Sequence, residues 1–96
     1  YEGGAFTTKP IVFAGSKLSI NMATSAAGSI WVEIQEADGT PIPGFTRADA
    51  DELIGDFIAR NVTWKESADV SALAGKPIRL HFDMKDADVY AIQFGN

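Results

Sequence analysis

Cysteine is absent from this chain. Disulfides, thiolate metal centres and a cysteine nucleophile are therefore excluded, while the redox compartment stays open. Histidine occurs once, at His81. A Ser–His–Asp arrangement would have to be built around that single imidazole. No Gly-x-Ser-x-Gly elbow offers a serine for it, so His81 reads as an outward polar residue on a strand. Basic residues are few, 8 Lys and Arg against 13 Asp and Glu, for a net charge of −5. They are scattered singly, which excludes the clustered cations that a phosphate backbone requires and argues against a nucleic-acid partner. No apolar run approaches the length of a membrane span, and no basic stretch leading into an apolar one reads as a signal peptide. No helical period is sustained and no internal repeat occurs.

What remains is ordinary globular composition, 46% hydrophobic and 22% charged over 96 residues, enough for one domain with one modest core. Tyr1-Glu2-Gly3-Gly4 reads like the tail of a linker. Residues 1–5 are accordingly expected to be a linker remnant and residues 6–96 a module excised from a longer protein.

Strand signals dominate. Thr7 to Phe13 is extended, with Pro10 at an edge or bulge. Lys17 to Ala23 alternates, with Leu18, Ile20 and Met22 inward. Ala26-Ala27-Gly28 is expected to turn the chain into Ser29 to Glu36, where Ile30, Val32 and Ile34 face the core and Trp31, Glu33 and Gln35 face out. Asp38-Gly39 carries a tight-turn signature. Thr46 to Gly55 fits either a helical turn or a loop, with Thr46 and Asp49 forming a capping-box-like pair. In Phe57 to Lys65, Ile58, Val62 and Trp64 share an inward phase. In Pro77 to Lys85, Ile78, Leu80, Phe82 and Met84 point in while Arg79, His81, Asp83 and Lys85 point out. Asp86-Ala87-Asp88 reads as a turn, and Tyr90, Ile92 and Phe94 share a final inward phase. Six to eight short strands with turns about every ten residues predict an all-β fold, an antiparallel β-sandwich of jelly-roll-like type.

The segments VEIQEADGTPIPGF, VTWKESADVSALAGKP and KDADVYAIQF, within a match running from Thr7 to Phe94, resemble a C-terminal β-sandwich module of large secreted bacterial proteins. Many of those are glycoside hydrolases of family 32 or a related five-bladed-propeller kind. The resemblance implies a non-catalytic accessory domain, secreted or periplasmic as part of a larger protein, and it carries no catalytic residues. Two positions depart from the family pattern: Trp31 stands where the family usually has Arg, and Phe57 where an acidic residue is common.

Beside the resemblance, the residues offer three chemistries. A glycosidase needs two carboxylates across a cleft, but carboxylates are too plentiful here to single out a pair. Asp49, Asp51, Glu52 and Asp56 cluster around the ambiguous loop and could supply oxygens to a structural calcium; the simpler reading is a solvated acidic loop, since no EF-hand spacing is present. Asp83, Asp86 and Asp88 read as turn residues. Aromatics point to carbohydrate: a flat ring meets the C–H face of a sugar while neighbouring polar groups bond its hydroxyls. Trp64 and Tyr90 share phase with core residues. Trp31 does not, and Glu33 and Gln35 flank it. Arg79 and His81 would join them if their strand lies in the same sheet. Polysaccharide or oligosaccharide binding, packing on the catalytic domain of the parent chain, and simple surface stacking all remain open for Trp31.

Overall fold

The computed structural model describes residues 3–96. Tyr1 and Glu2, and the side chain of Phe57, lie outside the described residues. The chain is all-β and antiparallel, as its alternation predicts. Its named strands are β1 (Gly3–Thr7), β2 (Lys17–Glu36), β3 (Phe57–Asn61) and β4 (Ile78–Gly95), in one sheet of order β1-β4-β2-β3. A 3₁₀ turn, Ser71–Leu73, precedes β4. Of the tract set apart as a linker, Gly3, Gly4 and Ala5 lie in β1 and pair with Lys85, Met84 and Asp83. Beyond Thr7 pairing continues only as Thr8 N–H to the Leu80 carbonyl (2.9 Å) and a bridge between Ile11 and Ile78. Pro10 lies in the gap and has no N–H to contribute.

Two long strands stand where the sequence suggests four short ones. The expected turns at Ala26-Ala27-Gly28 and Asp86-Ala87-Asp88 are instead a shift of register within β2 and β4, between Thr24 and Ser29, with pairing resuming at Ser29 and Lys85. Asp83, Asp86 and Asp88 consequently all lie in β4. The Asp38-Gly39 turn forms as expected. Gly39 takes φ +93°, Glu36 N–H reaches the Thr40 carbonyl at 2.8 Å, and the Asp38 carboxylate accepts the Thr40 N–H at 2.8 Å.

Ile30, Val32 and Ile34 of β2 and Ile78, Leu80, Phe82 and Met84 of β4 form the floor of the core. Phe13, Leu53, Val62, Trp64, Val70 and Leu73, from the segments between strands, close it from the other side. Each large side chain so buried contributes about 1.5–3 kcal/mol. Trp64 is core as expected, but Tyr90 and Ile58 are not: they are 69% and 88% exposed. Register shifts at Asn21/Met22 on one side of β2, and Ile20/Met22 on the other, break the alternation that assigned them inward.

Candidate functional site

β2 and β4 pair directly, and their register decides which outward residues meet. Trp31 lies opposite Asp83, Glu33 opposite His81, and Gln35 opposite Arg79. The five residues singled out from the sequence, Trp31, Glu33, Gln35, Arg79 and His81, therefore share one face of the sheet, with Asp83 as a sixth. Side chains directly opposite in an antiparallel pair stand about 5 Å apart at Cβ, close enough to interact. Thr7 of β1, opposite His81, extends the row.

Each group on this face has an intramolecular partner. Glu33 is buried, and both its oxygens are engaged: Arg47 N–H donates to Oε1 at 2.9 Å and Gln35 Nε2 to Oε2 at 2.7 Å. Arg79 donates from Nε to the Ala37 carbonyl at 2.7 Å and from Nη1 to the Thr8 carbonyl at 3.2 Å. His81 Nδ1 and Thr7 Oγ1 share a hydrogen bond of 2.7 Å. The residue that sequence reading missed is Arg47. Its guanidinium carbon lies 3.9 Å from the Trp31 ring centroid, and its Nε donates to Asp83 Oδ2 at 3.1 Å. Trp31 thus has a local explanation as the platform for a cation delivered by the loop after Phe45. Nothing in the Thr46–Gly55 tract marks Arg47 for that role, because the contact joins residues distant in sequence.

The loop that brings Arg47 in is held as the Thr46/Asp49 pairing predicts. Thr46 Oγ1 donates to Asp49 Oδ2 at 2.9 Å, and Asp49 and Ala50 N–H both reach the Thr46 carbonyl at 3.0 Å, a single helical turn. The acidic cluster is dispersed among separate partners. Asp49 also meets Lys65 Nζ at 3.2 Å. Asp51 accepts from Thr63 Oγ1 at 2.7 Å and Glu66 N–H at 2.6 Å. Ser29 Oγ donates to Glu52 Oε2. Among the described residues no three acidic or histidine side chains come together in a group that could hold a metal.

These bonds set an acid limit on stability. The Thr63 hydroxyl, then the Glu66 N–H, hold the Asp51 carboxyl below its ordinary range; Thr46, then Lys65, do the same for Asp49, as Ser71 does for Asp69 and Thr40 for Asp38. A carboxyl whose folded pKa is depressed stabilises the fold above its unfolded value of about 3.9, and that stabilisation is lost as pH falls through the folded value. Chemical denaturation midpoints should therefore respond little to these four groups from neutrality to about pH 4, then fall. In Asp51→Asn the fall below pH 4 should be shallower than in the parent. An equal slope would mean that Asp51 does not contribute.

A second feature shares no residue with this face. A groove of about 460 Å³ is lined by Asn21, Met22, Ala23, Asp56, Ile58 and Tyr90. No family model, curated protein or solved structure matches the chain.

Proposed function

We propose that the chain is a non-catalytic accessory module of a secreted bacterial carbohydrate-active enzyme, of the glycoside hydrolase family 32 kind its sequence resembles. In this reading it is a jelly-roll-like β-sandwich whose second layer is supplied by the irregular segments over the core, and it binds carbohydrate at the Trp31 face. The observation that supports this is the β2–β4 register, which sets an indole beside an amide, an imidazole, a guanidinium and carboxylates on a sheet that fixes their spacing. Those groups match the apolar face and hydroxyl edge of a sugar. Arg47 covers the ring, but weakly. Its pair with Asp83 is 44% exposed on both sides, and such a pair is worth about 0–1 kcal/mol. An exposed cation–π contact adds about 0.5–1 kcal/mol. The loop stays anchored through the Arg47 N–H to Glu33, so a sugar ring could displace the guanidinium alone. Affinity of this kind is modest in the isolated module and gains from linkage to the enzyme.

Affinity electrophoresis through gels carrying glucan, xylan, mannan, pectin or fructan tests the reading. The parent domain should be retarded in at least one gel, and Trp31→Ala should be retarded measurably less in that gel. Normal migration of the parent in every gel would sink it.

One observation favours a second reading, a structural interaction domain that packs on the catalytic domain of the parent protein and holds no ligand. Glu33, Gln35, Arg79, His81 and Asp83 each already have a hydrogen-bond partner within the chain, which suits a pre-formed surface meeting another domain.

A further inference from the structure

At residues 20–22, β2 is flanked by a register shift on each side. Toward β4, Asn21 faces Ala91 and Met22 faces Val89, so Tyr90 is an extra residue. Toward β3, Ile20 faces Arg60 and Met22 faces Phe57, so Ile58 and Ala59 together stand against Asn21. Ala59 adopts φ +56°, a left-handed conformation that a non-glycine residue takes at a cost, and its N–H donates to Asn21 Oδ1 at 2.8 Å. Bulges of this kind bend a strand and re-aim its side chains, and they recur beside functional sites. Here both re-aim apolar residues outward. An exposed Ile and an exposed Tyr each forgo the burial that unbroken alternation would have supplied. The result is the 460 Å³ groove, with Tyr90 and Ile58 among its walls and Asn21 and Asp56 as its polar groups.

We propose that this groove is a binding site for a single sugar ring, distinct from the Trp31 face. The proposal rests on the reading of the module as carbohydrate-binding but uses none of the residues of that face. Tyr90 offers a flat ring and Ile58 an aliphatic wall to the C–H face of the sugar. The Ala59 N–H fixes the Asn21 amide, since only Oδ1 can accept it, and among the described residues no acceptor takes the Nδ2 hydrogens, which are open to a ligand. Asp56 adds an acceptor. A donor and an acceptor in one groove are both satisfied by hydroxyls, which donate and accept. An anion would be repelled by Asp56, and a cation or a hydrocarbon would leave the amide hydrogens unmet. A polyol with an apolar face fits all four side chains.

Amide-detected NMR titration of the whole chain with gluco-, xylo-, manno- and fructo-oligosaccharides of three to six residues tests this. The Asn21 side-chain amide signals and the backbone signals of Ile58 and Tyr90 should shift saturably with at least one of them, and equally in Trp31→Ala. Tyr90→Ala should weaken that binding at least tenfold. Asn21→Asp, which keeps the acceptor for Ala59 but removes the donors, should do the same with the bulge signals unmoved. Shifts confined to the Trp31 indole and its neighbours would overturn the groove and leave the Trp31 reading standing. Shifts confined to the groove would do the reverse. No shift with any oligosaccharide would overturn both.

Discussion

Trp64→Ala should lower the unfolding free energy by about 4 kcal/mol, and Trp64→Phe by about 2 kcal/mol. Trp64 is 3% exposed and packs edge-on against Phe45, with ring centroids 5.3 Å apart. Its indole also completes a strand edge. Ile30 exchanges backbone hydrogen bonds with Leu53, and Ile34 bonds to Phe45 and Ile42, on the side of β2 away from β4. Backbone groups two residues apart point the same way in an antiparallel strand, so Val32 faces that edge too. No strand reaches it there; its carbonyl accepts the Trp64 Nε1–H at 2.8 Å instead. Alanine removes the ring and leaves a cavity, whereas phenylalanine fills most of the space and removes only the donor. A domain of this length is stable by roughly 5–14 kcal/mol, so the alanine variant should lose a large part of it. Urea unfolding followed by far-ultraviolet circular dichroism measures both. If phenylalanine proves equal to tryptophan, the Val32 hydrogen bond contributes nothing and only packing matters.

Trp64 was legible in the sequence as core, and so was most of the sheet floor. Alternation over Ser29–Glu36 and Ile78–Met84 put the buried and outward residues on their correct sides, because both stretches pair in unbroken register and period two then fixes every side chain. The same regularity makes Trp31, Glu33, Gln35, Arg79 and His81 neighbours once β2 and β4 are known to pair. Pairing itself was not legible, since no local signal names a partner strand. The bulges were invisible for a different reason. One extra residue in a strand has no composition of its own, and Tyr90 and Ile58 look like core residues in any alternating count. The stacking of Arg47 on Trp31 is a contact between loop and sheet that depends on how residues 46–50 turn. Hydrophobic periodicity therefore located the apolar face and left the outer one, where ligands would meet the protein, to be decided by register.

Gly28→Ala should cost about 3 kcal/mol, more than Gly39→Ala, although Gly39 is the glycine with the unusual backbone. Gly28 sits where β2 re-enters register after the shift between Thr24 and Ser29, against the stretch of β4 in which Asp86 takes φ +45°. A Cβ built on Gly28 would lie 2.7 Å from the Lys85 carbonyl oxygen and closer still to that of Asp86. Both obstacles are backbone, so no side-chain rotation relieves them; the strands must separate or the shift must move. At Gly39 a Cβ meets nothing within 4 Å, and the penalty is confined to a left-handed conformation at φ +93°, about 1–2 kcal/mol. The two substitutions thus separate lack of space from backbone strain. Denaturant midpoints should rank parent, Gly39→Ala, Gly28→Ala in falling order, and amide exchange in Gly28→Ala should quicken first at Ser29 and Lys85, where pairing resumes. A Gly28→Ala variant as stable as Gly39→Ala would show that β2 and β4 do not approach so closely there. Because the shift at Thr24 to Ser29 joins the Trp31 half of the sheet to the half carrying Asn21 and Tyr90, that result would also change the expected spacing of the two candidate binding sites.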